Sequence, residues 1–358
     1  MAWHGIEGHD NLVTQFRAAL GRGRLASTFL FVGPSGVGKR TFAEKFAQAL
    51  LCMARPVEQL DPCEQCDSCR QVLAGAHPDL LRVAKPEGKS ELPLALLIGE
   101  GETRMRTGLC HDIALKPFMG GRRVAIIDDA DDLNTEGANC LLKTLEEPPP
   151  RSVIILLGTS AERQLPTIRS RAQLVRFRPL ESQQVATILE RQGVVSDHET
   201  ALGWAALSQG SVAKAIEMAD AELWAFRGQL ISGLSRAPLA SREVAVAVTA
   251  FVDAAGKEAS EKRIRARQVL EFAVEFYTGC LRGACRADDA HESALAQAIE
   301  RRLAQPVEVP GLEAALERTL AAVEHVEHNA NQATLIECWL DDLARILDRH
   351  GWRELPAA

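Results

Sequence analysis

Along residues 1–180, short apolar runs end in turn residues and alternate with stretches whose apolar positions recur every three to four residues. β-branched and aromatic runs of this length read as strands, and the intervening stretches read as helices. Five strands are expected, at 28–32, 79–83, 124–127, 153–157 and 174–177. Four are almost wholly apolar, as strands buried on both faces must be, so the pattern predicts an α/β fold with helices covering a five-stranded parallel sheet. Beyond Leu180 the β pattern stops. A compact helical stretch broken at Gly210-Ser211 fills 181–220. A longer helical region fills 221–358, with interruptions near 279–289 and at Pro306 and Pro310. Close to its end Leu335, Ile336, Trp339, Leu340, Leu343, Ile346 and Leu347 fall on one helix face. Periodicity alone favours an internal core stripe over a subunit interface.

Composition narrows the class. The 358 residues are 46% hydrophobic and 25% charged, with 41 Lys+Arg against 48 Asp+Glu for a net charge of −7. Such a chain folds, and its length suits two or three domains. Its acidic balance argues against coating nucleic acid by overall charge. No apolar run approaches the roughly 18 residues of a membrane helix, and the first ten residues lack a basic segment followed by an apolar one. A cytoplasmic location with no membrane partner is expected. Nine cysteines spread over this length suggest metal binding or burial rather than a disulfide framework.

Position then turns composition into chemistry. Directly after the first strand, Gly33-Pro-Ser-Gly36-Val-Gly38-Lys39 fits G-x-x-x-x-G-K and leads into a helical stretch. Glycines there let backbone N–H groups face phosphate oxygens, the helix N-terminus adds positive potential, and the lysine bridges the terminal phosphates. The next residue should be Ser or Thr, to ligate Mg²⁺, and is Arg40. Thr41 lies one step on, turned by about 100° along the helix. The third strand ends in Asp128-Asp129-Ala130-Asp131-Asp132. In P-loop enzymes the first such acid holds Mg²⁺ and the second, usually Glu, polarises water; Asp129 is one methylene shorter. Thr159 follows the fourth strand.

Four cysteines, Cys52, Cys63, Cys66 and Cys69, fall within eighteen residues. This spacing favours a closed, structural zinc site; an iron–sulfur cluster is the alternative, although no fourth Cys followed by Pro completes the ferredoxin run. Cys110, Cys140, Cys280, Cys285 and Cys338 lack such spacing and read as buried or incidental thiols. Between Arg151 and Arg178 six arginines face one acid, Glu162, a local charge of +5 inside an acidic chain. Arg171, just before the fifth strand, is placed to reach the γ-phosphate of a neighbouring subunit; paired or solvated surface arginines are the plainer reading.

Together these motifs resemble the AAA+ clamp-loader subunits of bacterial DNA polymerase III. The carriers are Trp3-His-Gly-Ile-Glu-Gly-His9, the P-loop, the cysteine module, 120–130, 138–148 and Ile168-Arg-Ser-Arg171. The resemblance implies an AAA+ module at 1–180 with zinc at 52–69, a small helical lid at 181–220, and a helical collar at 221–358 that assembles a hetero-pentamer. It implies gamma/tau and delta subunits, the sliding clamp and primer–template DNA as partners, and Arg171 as an arginine finger acting in trans. Gly33, Gly36, Gly38, Lys39, Thr41, Asp128, Asp129 and Thr159 would line a nucleotide site for ATP and Mg²⁺. The family's Ser-Arg-Cys reads Ser170-Arg171-Ala172 here, and the lid arginine expected after Gly210-Ser-Val is Ala213. With Arg40 and Asp129, three degraded positions point to a subunit with little or no hydrolysis of its own. A working gamma/tau-type ATPase is the alternative, and a zinc-dependent DNA-binding module a third. For residues 85–108 no function is expected from the pattern.

Overall fold

The computed structural model describes residues 3–86, 89, 91–119, 121–285, 293–305, 308–327 and 331–351. The chain divides into two compact units, Met1–Ile216 and Glu217–Ala358. Residues 87, 88, 90, 120, 286–289 and 306 therefore lie outside the described residues.

The first unit is built on five strands: β1 Thr28–Val32, β2 Leu80–Val83, β3 Arg123–Ile127, β4 Ser152–Gly158 and β5 Gln173–Arg176. Each lies within two residues of its expected position. All pairings are parallel and the order is β2-β3-β4-β1-β5. The apolar strands alternate strictly between two cores. Phe29 and Phe31, with Val153, Ile155 and Leu157, face one cluster; Leu30 and Val32, with Ile154 and Leu156, face the other. A strand that fills both faces must be apolar throughout, and β1, β3 and β4 are buried at every position.

Helices α1 Asp10–Gly21, α2 Lys39–Leu51 and α3 Asp67–Leu73 accompany the first core. The second takes α4 Leu94–Ile98, α5 Leu109–Ala114 and α6 Thr135–Glu146, and α7 Pro166–Arg169 precedes β5. Leu92, Leu97 and Ile98 are fully buried in this second core, which gives the run at 92–98 a packing role that its sequence did not disclose. Helices α8 Ser182–Arg191, α9 His198–Leu207 and α10 Val212–Glu217 follow. A capping box between Glu181 and Gln184 starts α8, and Asp197 caps α9. Around Leu180, Val185, Ala186 and Leu189 these helices have a small apolar cluster of their own.

The second unit is all helical: α11 Ala221–Leu234, α12 Ser241–Asp253, α13 Ala259–Ala284, α14 Ser293–Leu303, α15 Val309–Glu327 and α16 Gln332–Gly351. The interruption expected near 279–289 falls where α13 ends, at Ala284, with residues 286–289 outside the described residues. Gly279 itself lies inside α13, where Phe276, Tyr277 and Cys280 around it are fully buried and their packing outweighs a helix penalty of about 1 kcal/mol. The apolar stripe of α16 is core, with Trp339, Leu340 and Leu343 completely inaccessible. Trp339 Nε1 donates to Thr319 Oγ1 at 3.1 Å, so its polar edge is satisfied within that core. Among the described residues no helix is long and apolar enough to cross a membrane.

Candidate nucleotide and metal sites

In an open parallel sheet, ligand sites form at the carboxyl ends of the strands, where loops and helix N-termini converge. Here β1 ends in the glycine loop, β3 in Asp128 and β4 in Thr159, and the order β3-β4-β1 sets the three ends side by side. The Gly33 N–H donates to the Thr159 carbonyl at 3.1 Å, tying loop to strand end. Gly38 caps α2 with φ +92°, a conformation that L side chains rarely adopt. Gly36 is required twice over. Its φ is +76°, and a Cβ there would lie 2.2 Å from Ser211 Oγ and 2.8 Å from Ala213 Cβ. The start of α10 therefore lies directly on the loop, and the Val212 N–H donates to the Gly36 carbonyl at 2.9 Å. This brings Ala213, where the resemblance expects an arginine, to the cradle.

The charged groups are bound to one another. Lys39 Nζ donates to the carbonyls of Gly33 and Pro34 at 2.6 and 2.7 Å, and burial pulls its pKa down against the opposing pull of Asp131 and Asp128. Arg40 Nη1 lies 3.3 Å from Asp128 Oδ2, and Asp128 Oδ1 accepts the Asp129 N–H at 3.0 Å. Asp129, itself at φ +53°, turns its carboxylate to accept the Lys85 N–H at 3.2 Å; burial, then the neighbouring Asp128, raises its pKa. Asp131 Oδ2 accepts from Thr159 N at 2.7 Å and Oγ1 at 2.5 Å, and its other oxygen accepts from Gln164. Lys85 Nζ holds Asp132 at 2.5 Å. A Mg²⁺ ion held as P-loop sites hold it does not fit that donor set. The hydroxyl ligand is replaced by a guanidinium, and the first carboxylate is engaged by it. Thr41 sits within α2, beyond that pair.

The cysteine module hangs from the other end of α2. Cys52 follows the helix, Cys66 caps α3, and Cys69 lies inside it. The ligand atoms of Cys52, Cys63, Cys66 and Cys69 lie within 4.8 Å of one another, with Cys63 and Cys69 sulfurs at 3.9 Å. Four sulfurs about 2.3 Å from a tetrahedral zinc are about 3.8 Å apart, so this set can close on one ion. Backbone N–H groups of Cys66 and Cys69 donate to Cys63 and Cys66 sulfurs at 3.3 and 3.4 Å. The Cys66 N–H, then that of Gln65, lowers the Cys63 thiol to about 6, whereas burial raises Cys69. The N-terminal segment straps the module down: Trp3 Nε1 donates to the Leu60 carbonyl at 2.8 Å, and His4 meets Asp61 at 2.5 Å and Glu64 at 3.1 Å. Of the other cysteines, Cys280 is buried, Cys110 and Cys140 are partly buried, and Cys285 and Cys338 are exposed.

Arg171 follows α7 and is about one-third exposed. Its Nε donates to Glu146 Oε1 at 2.8 Å and its Nη1 to the Thr167 carbonyl at 3.0 Å, so the head is held on the surface by the end of α6. Glu146 and Lys85 were not visible as site residues. Their partners lie 25, 44 and 47 positions away, and no local pattern links such pairs.

The chain is similar in sequence to known proteins. The family model described as "DNA polymerase III, delta subunit" matches residues 8–181. That match takes in just under half of the chain. The DNA polymerase III subunit delta' of Pseudomonas aeruginosa is 38% identical over 151 residues, 42% of this chain and 43% of that protein. The delta' subunit of Bacillus subtilis is 33% identical over 195 residues, 54% of each chain. The gamma/tau subunit of Mycobacterium bovis is 35% identical over 196 residues, 54% of this chain and 32% of that protein. The chain thus spans about half or less of the length of these relatives.

Proposed function

We propose that the chain is a clamp-loader subunit of a bacterial replicative DNA polymerase III, of the delta-prime kind. It works in the cytoplasm with gamma/tau and delta subunits in a hetero-pentamer and helps place the sliding clamp on primer–template DNA. In this reading 1–180 is the AAA+ module, 181–220 the lid and 221–358 the collar. The chain hydrolyses little or no ATP itself and supplies Arg171 to ATP held by its neighbour, where a guanidinium stabilises charge on the transferring phosphoryl group. The Cys52, Cys63, Cys66 and Cys69 set holds a structural Zn²⁺, closed to substrate.

The observation that carries the reading is the state of the two strand-end acids. Asp128 is paired with Arg40 and one oxygen of Asp129 accepts the Lys85 amide, so both acids already have partners within the chain. Partial exposure of Arg171 supports the finger role. The test is ATP turnover by the purified chain alone and in a loader reconstituted with gamma/tau and delta. The chain alone is expected to be inactive. Arg171→Ala should leave assembly intact and lower the complex's rate by about 10³-fold or more at the site it serves. Turnover by the chain alone that Lys39→Ala abolishes would establish the gamma/tau-type alternative, and an unchanged rate with Arg171→Ala would remove the finger.

A further inference from the structure

We propose that the Arg40 guanidinium is a resident cation standing in for the divalent ion, so that this P-loop binds the phosphates of a nucleotide without Mg²⁺. The proposal rests on the reading of the loop as a nucleotide cradle and concerns only what completes it. Arg40 occupies the position whose hydroxyl would ligate the ion, and its Nη1 meets Asp128 Oδ2 at 3.3 Å, the carboxylate that would hold the ion's other side. The place between loop and strand end is thus filled by charge from the chain itself.

The neighbouring acids offer no second route for a metal. Among the described residues, Asp129 accepts the Lys85 amide, Asp131 accepts Thr159 and Gln164, and Asp132 pairs with Lys85 Nζ. A divalent ion would have to displace a guanidinium from Asp128 while being repelled by it. A phosphate meets the opposite situation. The Arg40 side chain is 64% exposed, so donors not turned to Asp128 remain open to solvent, and a guanidinium's planar fork matches phosphate oxygens in pairs. The cradle keeps its left-handed glycines at Gly36 and Gly38. Lys39 rests on two loop carbonyls, which an entering phosphate replaces as its partner.

The test is calorimetric titration of ADP into the full chain, in chelator-free buffer with and without Mg²⁺. The wild-type dissociation constant should agree between the buffers within about twofold. Arg40→Thr, which restores the usual hydroxyl side chain, should weaken binding about tenfold without Mg²⁺, the scale of one charge-assisted hydrogen bond, and regain it when Mg²⁺ is added. Lys39→Ala should remove binding in both buffers, locating the signal in the loop. A thermal melt confirms that each variant is folded. The proposal is overturned by wild-type binding that requires Mg²⁺, by no binding in either buffer, or by a signal that survives Lys39→Ala. None of these results alters the Arg171 outcome in the reconstituted loader, so the two readings fail separately.

Discussion

His9 Nε2 donates to the carbonyl of Val37, inside the P-loop, at 2.9 Å, and the ring packs edge-on against Phe177. Burial lowers the pKa of His9, and burial also lowers that of His77, whose Nε2 meets Ser68 Oγ at 2.9 Å. An unfolded histidine titrates near 6.5. Since both folded values lie below it, the unfolded chain takes up protons first as pH falls. The contribution of these groups is therefore complete above about 6.5 and is lost toward more acid pH. Denaturant melts of the first unit from pH 7.5 to 5 should show falling stability, and His9→Gln, which keeps a donor but cannot titrate, should shrink that slope. Equal slopes for the two proteins would refute the assignment to His9. The same scale explains Arg40. Its identity announced the loss of a metal ligand, but its pairing with Asp128, 88 positions away, depends on β3 and the loop meeting across the sheet.

At the scale of elements, the cysteine module has little apolar core of its own, and only Leu60, Cys69 and Val72 of 57–73 are buried hydrophobics. Contacts of Trp3, His4, Arg17, Lys45 and Gln48 hold it, and the proposed zinc would add four bonds at its centre. Metal analysis should find one zinc per chain, and chelation should raise amide exchange across 52–73 while β1, β3 and β4 stay protected. Protection unchanged by chelation would show that the module needs no metal. Strands were the most legible elements, since a strand buried on both faces is apolar at each position. The end of α13, at Ala284, falls inside the stretch whose glycines, charges and loss of apolar period mark an interruption near 279–289.

For the whole molecule, each unit carries its own core. Two unfolding steps are therefore expected. Trp339→Ala removes a side chain with no exposed surface and leaves Thr319 Oγ1 without the indole donor, which should cost the second unit about 3–5 kcal/mol. Calorimetry should show the variant moving the second unit's transition while chelation moves only the first unit's; one shared transition shifting in both experiments would refute the division. At this scale residues 8–181 match a family model, and the helical unit from Glu217 onward lies outside the match.

The sequence by itself determined the parallel sheet, the P-loop, the four-cysteine set and the missing metal ligand. These are local signals: apolar runs, glycine spacing, C-x2-C-x2-C, one residue type at one position. Only the tertiary structure decided what each charge does. Asp128 belongs to Arg40, Asp129 to the Lys85 amide, Asp131 to Thr159 and Arg171 to Glu146. Such pairings arise where separate strand ends and helix ends converge, and sequence order carries no record of that convergence.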